Sequence, residues 1–428
     1  MKQGFCIFLF SCWLATGVAQ PLSKTEQKII AAAAAGMPAT LQLLKNAVDI
    51  NSGTFNIEGV KKTGQLLAKE LEALGFTVSW IPMPDSLHRA GHLVAVRKGK
   101  KGKRLLLLGH LDTVFEPAMP PNPFTMLNDT TATGQGVNDM KGGDVLVIAA
   151  LKALQQQKLL DNTSITVYFT GDEENAGEPR SISRADLINR AKENDIALAF
   201  EGATDLQTVA TARRGASEWT LEVSARQAHS SGIFGKAGYG SIYEATRIVN
   251  SFREQLGRQP FLTLNPSLIV GGADVQFDEE AQKGATASKT NIIAPATKVI
   301  GDLRFLTEQQ KEAARDTMRM IVSQHLEGTN ASIRFRDGIP AMPPTAGNDS
   351  LVTVLNNISN ALGYGAVVAG DPGARGAGDI SYIAAYLHCL DGLGASGKGA
   401  HAPGEVIDLA VYPKLITRTA LLIYRLTR

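Results

Sequence analysis

Cysteine is scarce in this sequence. Only three cysteines occur in 428 residues, and two of them, Cys6 and Cys12, lie among the first twenty residues. The rest of the chain contains only Cys389. If the first twenty residues are cleaved off, Cys389 has no second thiol in the same chain, which excludes an internal disulfide. Stability must therefore come from a packed core, and a thiol-poor chain is compatible with an oxidising compartment.

An excess of charge of one sign is also absent. The chain carries 43 Lys and Arg residues against 41 Asp and Glu residues, a formal net charge of +2. No electrostatic field therefore favours nucleic acid or a membrane surface, and the predicted partner is a small molecule or a short peptide. The length and the 44% hydrophobic content allow a large core and predict two domains.

The N-terminal segment carries an apolar run, and no second candidate for a membrane-spanning segment follows it. Lys2 precedes the run at residues 5–15, and small residues follow it as far as Ala19. This order is typical of a secretory signal and predicts a signal peptide at residues 1–19. The run is too short to span a bilayer comfortably.

Export to the outside or to the periplasm follows from that signal. After its removal we expect no association with the membrane. An alternative is a lipid anchor at Cys12, although the bulky Phe10 is unusual before such a site.

Helix-like and strand-like segments alternate in the first half of the chain. Helical patterns lie at residues 24–50, 56–75 and 143–157, and strand patterns lie at residues 76–82, 91–97, 103–108, 165–170 and 196–200. The basic segment at residues 98–103 is predicted to be a solvated hairpin turn. The alternation predicts an α/β fold with a mostly parallel sheet and helices on both faces.

The pattern changes after Arg214. Strands are predicted at residues 219–223, 298–305 and 331–335 and around Ile292, and helices at residues 241–256 and 307–326. These elements predict an inserted α+β domain at residues 213–337. The insert would separate the two parts of a catalytic domain, at residues 20–212 and 338–428.

Clusters of imidazole and carboxylate groups follow two of the predicted strands. His110 and Asp112 come after the leucine run at residues 105–108, and Glu173 and Glu174 come after the apolar run at residues 165–169. Strand ends are where α/β proteins place their chemistry. Such donors suit a divalent metal, and adjacent glutamates offer one ligand and one proton carrier, so a metal-dependent hydrolase is the leading hypothesis.

A third cluster surrounds Asp139. Gly142 and Gly143 follow it and allow close backbone approach, so its carboxylate could bridge two ions. Asp112 could accept the second ring N–H of His110. Each cluster also has a plain structural explanation.

Those explanations remain open when each motif is taken alone. His110 could be a buried histidine beside a helix-capping Asp112, and Asp139 could cap the helix that follows it. Glu173 and Glu174 could belong to a solvated acidic loop.

The motifs GHLDTV, VNDMKGG, TGDEE, FEGA and GKGAHAPGE occur in this order along the chain. Together they resemble the dinuclear-zinc exopeptidase and aminoacylase family, which contains carboxypeptidase G, aminoacylase-1 and succinyl-diaminopimelate desuccinylase. The resemblance spans nearly the whole chain after the signal. It implies a zinc-exopeptidase-like catalytic domain, a ferredoxin-like lid and dimerisation domain at residues 213–337, and a homodimer that forms through this domain.

The resemblance also implies two Zn²⁺ ions per subunit, although cobalt or manganese would fit the same donors. The implied metal ligands are His110 and Glu201 for one ion, Glu174 and His401 for the other, and Asp139 as the bridge. Asp112 would orient His110, and Glu173 would be the general base and acid. A cis peptide bond is implied between Asp139 and Met140.

In the insert, the resemblance implies a catalytic role for His229 and substrate contacts for Asn291 and Arg304. The alternatives are that His229 is an exposed histidine at a strand end, that Asn291 is a turn residue, and that Arg304 forms an ion pair with Asp302.

This chain departs from the glutamate-releasing members, which carry a lid arginine where it has Gly338-Ile339-Pro340. Arg334, Arg336 or Arg375 could bind a substrate carboxylate instead, although a surface ion pair is the plainer interpretation of each. The glycine-rich loop at residues 370–378 is predicted to line the substrate site. The other histidines, His88, His92, His325 and His388, are interpreted as ordinary surface or core residues.

The resulting prediction is an exported zinc-dependent hydrolase. It would cleave a peptide or N-acyl amide bond next to a free C-terminal carboxylate. The alternatives are an aminopeptidase or dipeptidase on the same scaffold and a catalytically silent binding protein.

Overall fold

The computed structural model describes residues 21–279 and 281–428. The predicted signal peptide, with Cys6 and Cys12, lies outside these residues. The helices are α1 (Lys24–Ala35), α2 (Met37–Val48), α3 (Ile57–Ala73), α4 (Lys141–Gln156), α5 (Arg180–Ser183), α6 (Ala185–Ala191), α7 (Gly240–Leu256), α8 (Glu308–Val322), α9 (Ala346–Ala361) and α10 (Tyr412–Leu426). The strands are β1 (Thr77–Ile81), β2 (His92–Arg97), β3 (Lys101–His110), β4 (Thr125–Asn128), β5 (Thr131–Thr133), β6 (Thr163–Thr170), β7 (Ile196–Ala199), β8 (Thr208–Val209), β9 (Gly215–Ala225), β10 (Thr263–Gly272), β11 (Asp274–Asp278), β12 (Lys283–Ala287), β13 (Ala296–Phe305), β14 (Thr329–Asp337), β15 (Val368–Ala369), β16 (His388–Leu390), β17 (Gly397–Lys398) and β18 (Val406–Asp408).

The central sheet has the strand order β1-β2-β6-β3-β7-β16. Strand β3 pairs in parallel with both β6 and β7, and β16 continues the parallel part beside β7. At the other edge, β1 and β2 run antiparallel. The predicted α/β class with a mostly parallel sheet is confirmed. The predicted hairpin at residues 98–103 is wrong, because β6 lies between β2 and β3 and pairs with each of them.

The leucine run of β3 explains why helices cover both faces of this sheet. Side chains alternate along a strand, so Leu105 and Leu107 join the large core that contains α3, α4 and α10. Leu106 and Leu108 point to the other face, where they pack in the core that contains Leu187 of α6. All four leucines are at most 2% exposed, and burying each contributes roughly 1.5–3 kcal/mol.

The C-terminal helix α10 is central to the helical layer. It packs against α1, α4 and α9, and the Tyr412 hydroxyl donates to the Gly142 carbonyl at 2.7 Å. The single helix predicted at residues 24–50 is two helices, because α1 ends at Ala35, Gly36 separates it from α2, and Pro38 stands in the first turn of α2. No helix in the described part of the chain combines the length and the hydropathy of a membrane span.

The carboxyl ends of the parallel strands meet at one edge of the sheet. Strand β3 ends at His110, β6 is followed by the segment with Glu173 and Glu174, and β7 is followed by Glu201. Since parallel neighbours end on the same side, three separate segments are brought together there.

A second antiparallel sheet, in the order β10-β13-β9-β14, lies between the two parts of the central unit in sequence. Helices α7 and α8 pack on it, and their core includes Trp219, Phe252 and Met318. The connection β9-α7-β10-β13-α8-β14 and this strand order are those of a ferredoxin-like unit. The domain boundaries at residues 213 and 337 stay a prediction.

Some strands of this unit were not foreseen. Strands β10, β11 and β12 had no clear alternation in the sequence, and β11 and β12 form a separate hairpin. The strand expected around Ile292 is only an isolated bridge to His229.

Candidate metal centre

Five side chains with metal-binding atoms form two groups that share Asp139. In the first group, His110 Nε2 lies 3.2 Å from Asp139 Oδ1 and 3.6 Å from Glu201 Oε1. In the second group, His401 Nε2 lies 3.0 Å from Asp139 Oδ2 and 3.2 Å from Glu174 Oε2. The structure therefore brings together all five residues that the resemblance implied as ligands.

The two oxygens of Asp139 face different histidines, which is the arrangement expected of a bridging carboxylate. Asp139 does not cap the helix that follows, since the N-cap position of α4 is Met140 and no side chain donates or accepts there. The peptide bond between Asp139 and Met140 is cis, as the resemblance implied.

The ionisable groups of this cluster strongly shift one another's pKa values. Burial opposes ionisation of Asp139, but the imidazoles of His110 and His401 outweigh it and hold the pKa of the carboxyl well below its usual range. Hydrogen bonds to Asp139 and Glu174 raise the pKa of His401 to about 11. Burial and the charge of Asp139 raise the pKa of Glu201 to about 7. In the protein alone, protons would therefore occupy positions that a cation could take.

The donor set fits divalent metal ions. Each group combines one imidazole with two carboxylates, the mixture that borderline and hard divalent ions accept. Glu174 Oε1 is buried and has no hydrogen-bond partner among the described residues. A buried acceptor without a partner is costly, and a cation held with His401 would supply one.

Asp112 organises the loop between these groups. Its carboxylate accepts hydrogen bonds from the backbone N–H groups of Glu173 and Glu174 at 3.0 Å and 3.2 Å, and from the Thr54 hydroxyl at 2.6 Å. Asp112 was predicted to orient His110 through its carboxylate, but its backbone carbonyl lies closer to the imidazole ring. Its Nδ1 lies 3.0 Å from the Asp112 backbone carbonyl and 3.5 Å from the carboxylate.

Glu173 lines the same cavity as Asp139, Glu201 and His401 but belongs to neither donor group. Burial and the negative charge of Glu201 raise the pKa of Glu173 well above its usual value. Glu173 and Glu174 therefore lie in different environments. Neither belongs to a solvated acidic loop, which was the alternative interpretation.

A buried network supports this segment from behind. Arg184 donates to Asp172 at 2.6 Å and to Asp379 at 2.7 Å, and Thr170 donates to the other oxygen of Asp379 at 2.7 Å. All four side chains are buried. Sequence reasoning missed this network, although Asp172 stands directly before Glu173.

Glu405 was also missed, although it ends the GKGAHAPGE motif. Its buried carboxylate accepts hydrogen bonds from the backbone N–H groups of Gly136, Asn138 and Asp139 at 3.1, 2.6 and 2.7 Å. Burial raises the pKa of this carboxyl to about 7 against the opposing effect of these bonds. Glu405 thereby links the segment after His401 to the loop that carries the bridging residue.

The three predicted residues of the insert are not brought to the metal centre of the same chain. His229 is exposed and its Nδ1 lies 2.8 Å from Ser231 Oγ, while the Asn291 carbonyl accepts from the Ser230 N–H at 2.9 Å. Arg304 pairs with Asp302 at 2.7 Å, which was its alternative. None of the three lines the cavity or joins a donor group.

The glycine-rich loop predicted to line the site does so through residues 374–377. Arg375 of this loop also lines the cavity, so its interpretation as a surface ion-pair residue is wrong. Arg334 and Arg336 do form ion pairs, with Glu222 and Glu218 respectively. His92 is a satisfied core residue, since its ring nitrogens contact the Ser183 carbonyl and the Gly171 N–H.

Comparisons with known proteins agree with this geometry. The model of peptidase family M20/M25/M40 matches residues 106–425. Carboxypeptidase G2 of Pseudomonas sp. (strain RS-16) is 28% identical over 411 residues, which cover 94% of this chain and 92% of that protein.

Solved structures share the fold at low identity. The aminopeptidase PepT of Bacillus cereus gives a TM-score of 0.72 at 16% identity and covers 91% of this chain and 98% of its own. A dinuclear metal-binding peptidase of the M20 family from Bacillus subtilis gives a TM-score of 0.65 at 13% identity, with 92% and 99% covered. The resemblance stated from the motifs is confirmed, and the chain belongs to peptidase family M20/M25/M40 as one of its metallopeptidases.

Proposed function

We propose that this protein is an exported, dinuclear metal hydrolase that cleaves a peptide or N-acyl amide bond next to a free C-terminal carboxylate. The observation that carries the proposal is the pair of donor groups that share Asp139, with Glu173 beside them in one cavity. His110 and Glu201 would hold one ion, and Glu174 and His401 the other. Zn²⁺ suits this mixture of donors.

Two divalent ions, when bound by these groups, lower the pKa of water and polarise a carbonyl group. Glu173 is available for proton transfer because it is not needed as a ligand. Its carboxylate lines the cavity beside the donors and is placed to accept a proton of water. The same carboxyl group then returns the proton to the leaving nitrogen, which completes cleavage of the amide.

The residues of the insert act in this proposal across a homodimer. His229 of one copy would reach the cavity of the other copy and stabilise the developing oxyanion, and Asn291 beside it would contact the substrate. Arg304 could do so only if its pair with Asp302 opened.

The carboxypeptidase and aminoacylase type of reaction is favoured by the length of the similarity to carboxypeptidase G2. The alternative is an aminopeptidase or dipeptidase, which the fold of PepT accommodates equally well. A silent binding protein is disfavoured, because both donor groups and the base position are filled.

A substrate screen tests the proposed reaction. The zinc-loaded protein is expected to hydrolyse N-acyl amino acids with a free carboxylate, and released amine is measured. An aminopeptidase would ignore these blocked substrates and cleave free dipeptides. Loss of bound metal after reconstitution, together with no hydrolysis of any substrate, would favour the silent binding protein.

Glu173→Gln is expected to keep both metal ions and to lower kcat by about 10²- to 10⁴-fold, the usual contribution of general acid–base catalysis. Metal content by mass spectrometry and kcat are measured on the same samples. Glu58→Gln is the control, because the Glu58 side chain is 76% exposed on α3. Parallel loss of metal and activity in Glu173→Gln would refute its role as the base.

The homodimer is expected to form through the edge strand β10 and helix α7. Ile269 of β10 and the α7 residues Ile242 and Tyr243 are 59%, 47% and 51% exposed, and an edge strand offers unpaired backbone groups. In sedimentation velocity, Ile269→Lys should shift the dimer to monomer, while Leu127→Lys, at a position 56% exposed on β4, should not. A wild-type protein that sediments as a monomer would rule out this assembly.

Export is expected to leave a mature chain that begins at Gln20. Mass spectrometry of protein recovered from the periplasm or the medium identifies its N-terminus. A lipid-modified Cys12 would indicate an anchor instead, and an intact Met1 in the cytoplasmic fraction would contradict export.

A further inference from the structure

The cavity beside the candidate metal donors contains an arginine that forms no ion pair with a carboxylate of the described residues. This cavity has a volume of about 340 Å³, and its lining includes Asp139, Glu201 and His401 together with two arginines, Arg213 and Arg375. These two guanidinium groups differ in how their hydrogen-bonding capacity is used.

Arg213 is held in place by several protein groups. It forms an ion pair with the buried Asp391 through Nε, and its Nη1 donates to the carbonyls of Gly376 and Ala377 at 3.0 Å and 3.3 Å. The neighbouring Arg214 donates to the Gly373 carbonyl at 3.1 Å. Both arginines therefore hold the loop that carries Arg375.

Arg375 itself donates to one protein acceptor, the Gly202 carbonyl. Within residues 21–279 and 281–428, no carboxylate forms an ion pair with it. A guanidinium group has five N–H donors, so most of those of Arg375 have no protein acceptor. Burial lowers the pKa of Arg375, and the negative charges of Asp391, Glu201 and Asp139 oppose this without forming an ion pair. The buried arginines of this region, Arg184 and Arg213, both pair with aspartates.

Gly392 leaves room for the Arg375 side chain in the cavity. Gly392 has φ +73°, and a Cβ atom there would lie 2.4 Å from Arg375 Nη1. Any larger residue at this position would displace the guanidinium group. Its contact with Gly202 also places it one residue from the metal donor Glu201.

We propose that Arg375 binds the free carboxylate of the substrate and so selects acids over neutral analogues. The proposal rests on the proposed hydrolysis of amide bonds next to a free carboxylate. A planar guanidinium group with free N–H donors matches a carboxylate in a two-bond fork. Arg334, Arg336 and Arg304 are already paired with carboxylates of the insert, which leaves Arg375 for this task.

The test compares an N-acetyl amino acid with its carboxamide, which has the same shape without the negative charge. Arg375→Gln should lower kcat/KM for the acid by about 10- to 100-fold, the effect of losing charge-assisted hydrogen bonds, and should change the value for the amide little. Arg375→Lys should recover part of the loss, since it keeps the charge without the fork. Arg334→Gln is the matched control and should behave as wild type.

Binding is measured separately by calorimetry, with the same two compounds and zinc-loaded protein that carries Glu173→Gln, so that the acid is not consumed. This protein should bind the acid more tightly than the amide, and adding Arg375→Gln should abolish the difference while the protein keeps its metal. If wild type does not distinguish acid from amide, or if Arg375→Gln weakens both equally, the assignment is wrong. If wild type hydrolyses no substrate but binds the acid through Arg375, the proposed hydrolysis fails and the carboxylate site stands.

Discussion

Balancing buried negative charge is the constraint on which this site depends. Carboxylates crowd one edge of the sheet, and like charges at short distance cannot all remain ionised without compensation. Each is compensated differently: Asp112 by backbone N–H groups, Asp172 by the guanidinium of Arg184, and Glu405 by the loop around Asp139. The donor groups that share Asp139 have only two imidazoles, and they are the positions where divalent cations fit. The groups around each carboxylate thus decide whether it stabilises a loop, can bind a metal ion or can transfer a proton.

The clusters at His110, Asp139 and Glu173-Glu174 could be predicted from local patterns, whereas Glu201, His401 and the division of the candidate ligands between two ions were implied by the family resemblance. Hydrophobic runs end shortly before His110 and Glu173, and the ends of parallel strands meet. The separation of Glu173 from Glu174 also had a local basis, since adjacent carboxylates in one buried site cannot play the same part. The α/β class followed from the alternation of helices and strands, and the continuous leucine run of β3 is typical of a strand buried on both faces, as this one is.

The supporting contacts could not be predicted because they join residues that are distant in sequence. Arg184 and Asp379 are 195 positions apart, and Glu405 and Asp139 are 266 apart; no periodicity records such contacts. The insertion of β6 between β2 and β3 is likewise a matter of topology, and a basic turn between two strands was compatible with a hairpin. Arg375 was misjudged for the same reason: its place depends on Arg213 and Gly392, which lie on other segments.

The position of α10 has a consequence for the order in which the molecule assembles. This helix packs on α1 and α4, so the first part of the chain lacks a central piece of its core until residues 412–426 are available. The insert, by contrast, draws its sheet and both helices from one continuous stretch of chain. During synthesis the insert can therefore fold first, while the surrounding unit stays incomplete and exposes apolar surface. His401 and Glu405 arrive with the same late segment, so the metal centre and the core around it are completed together.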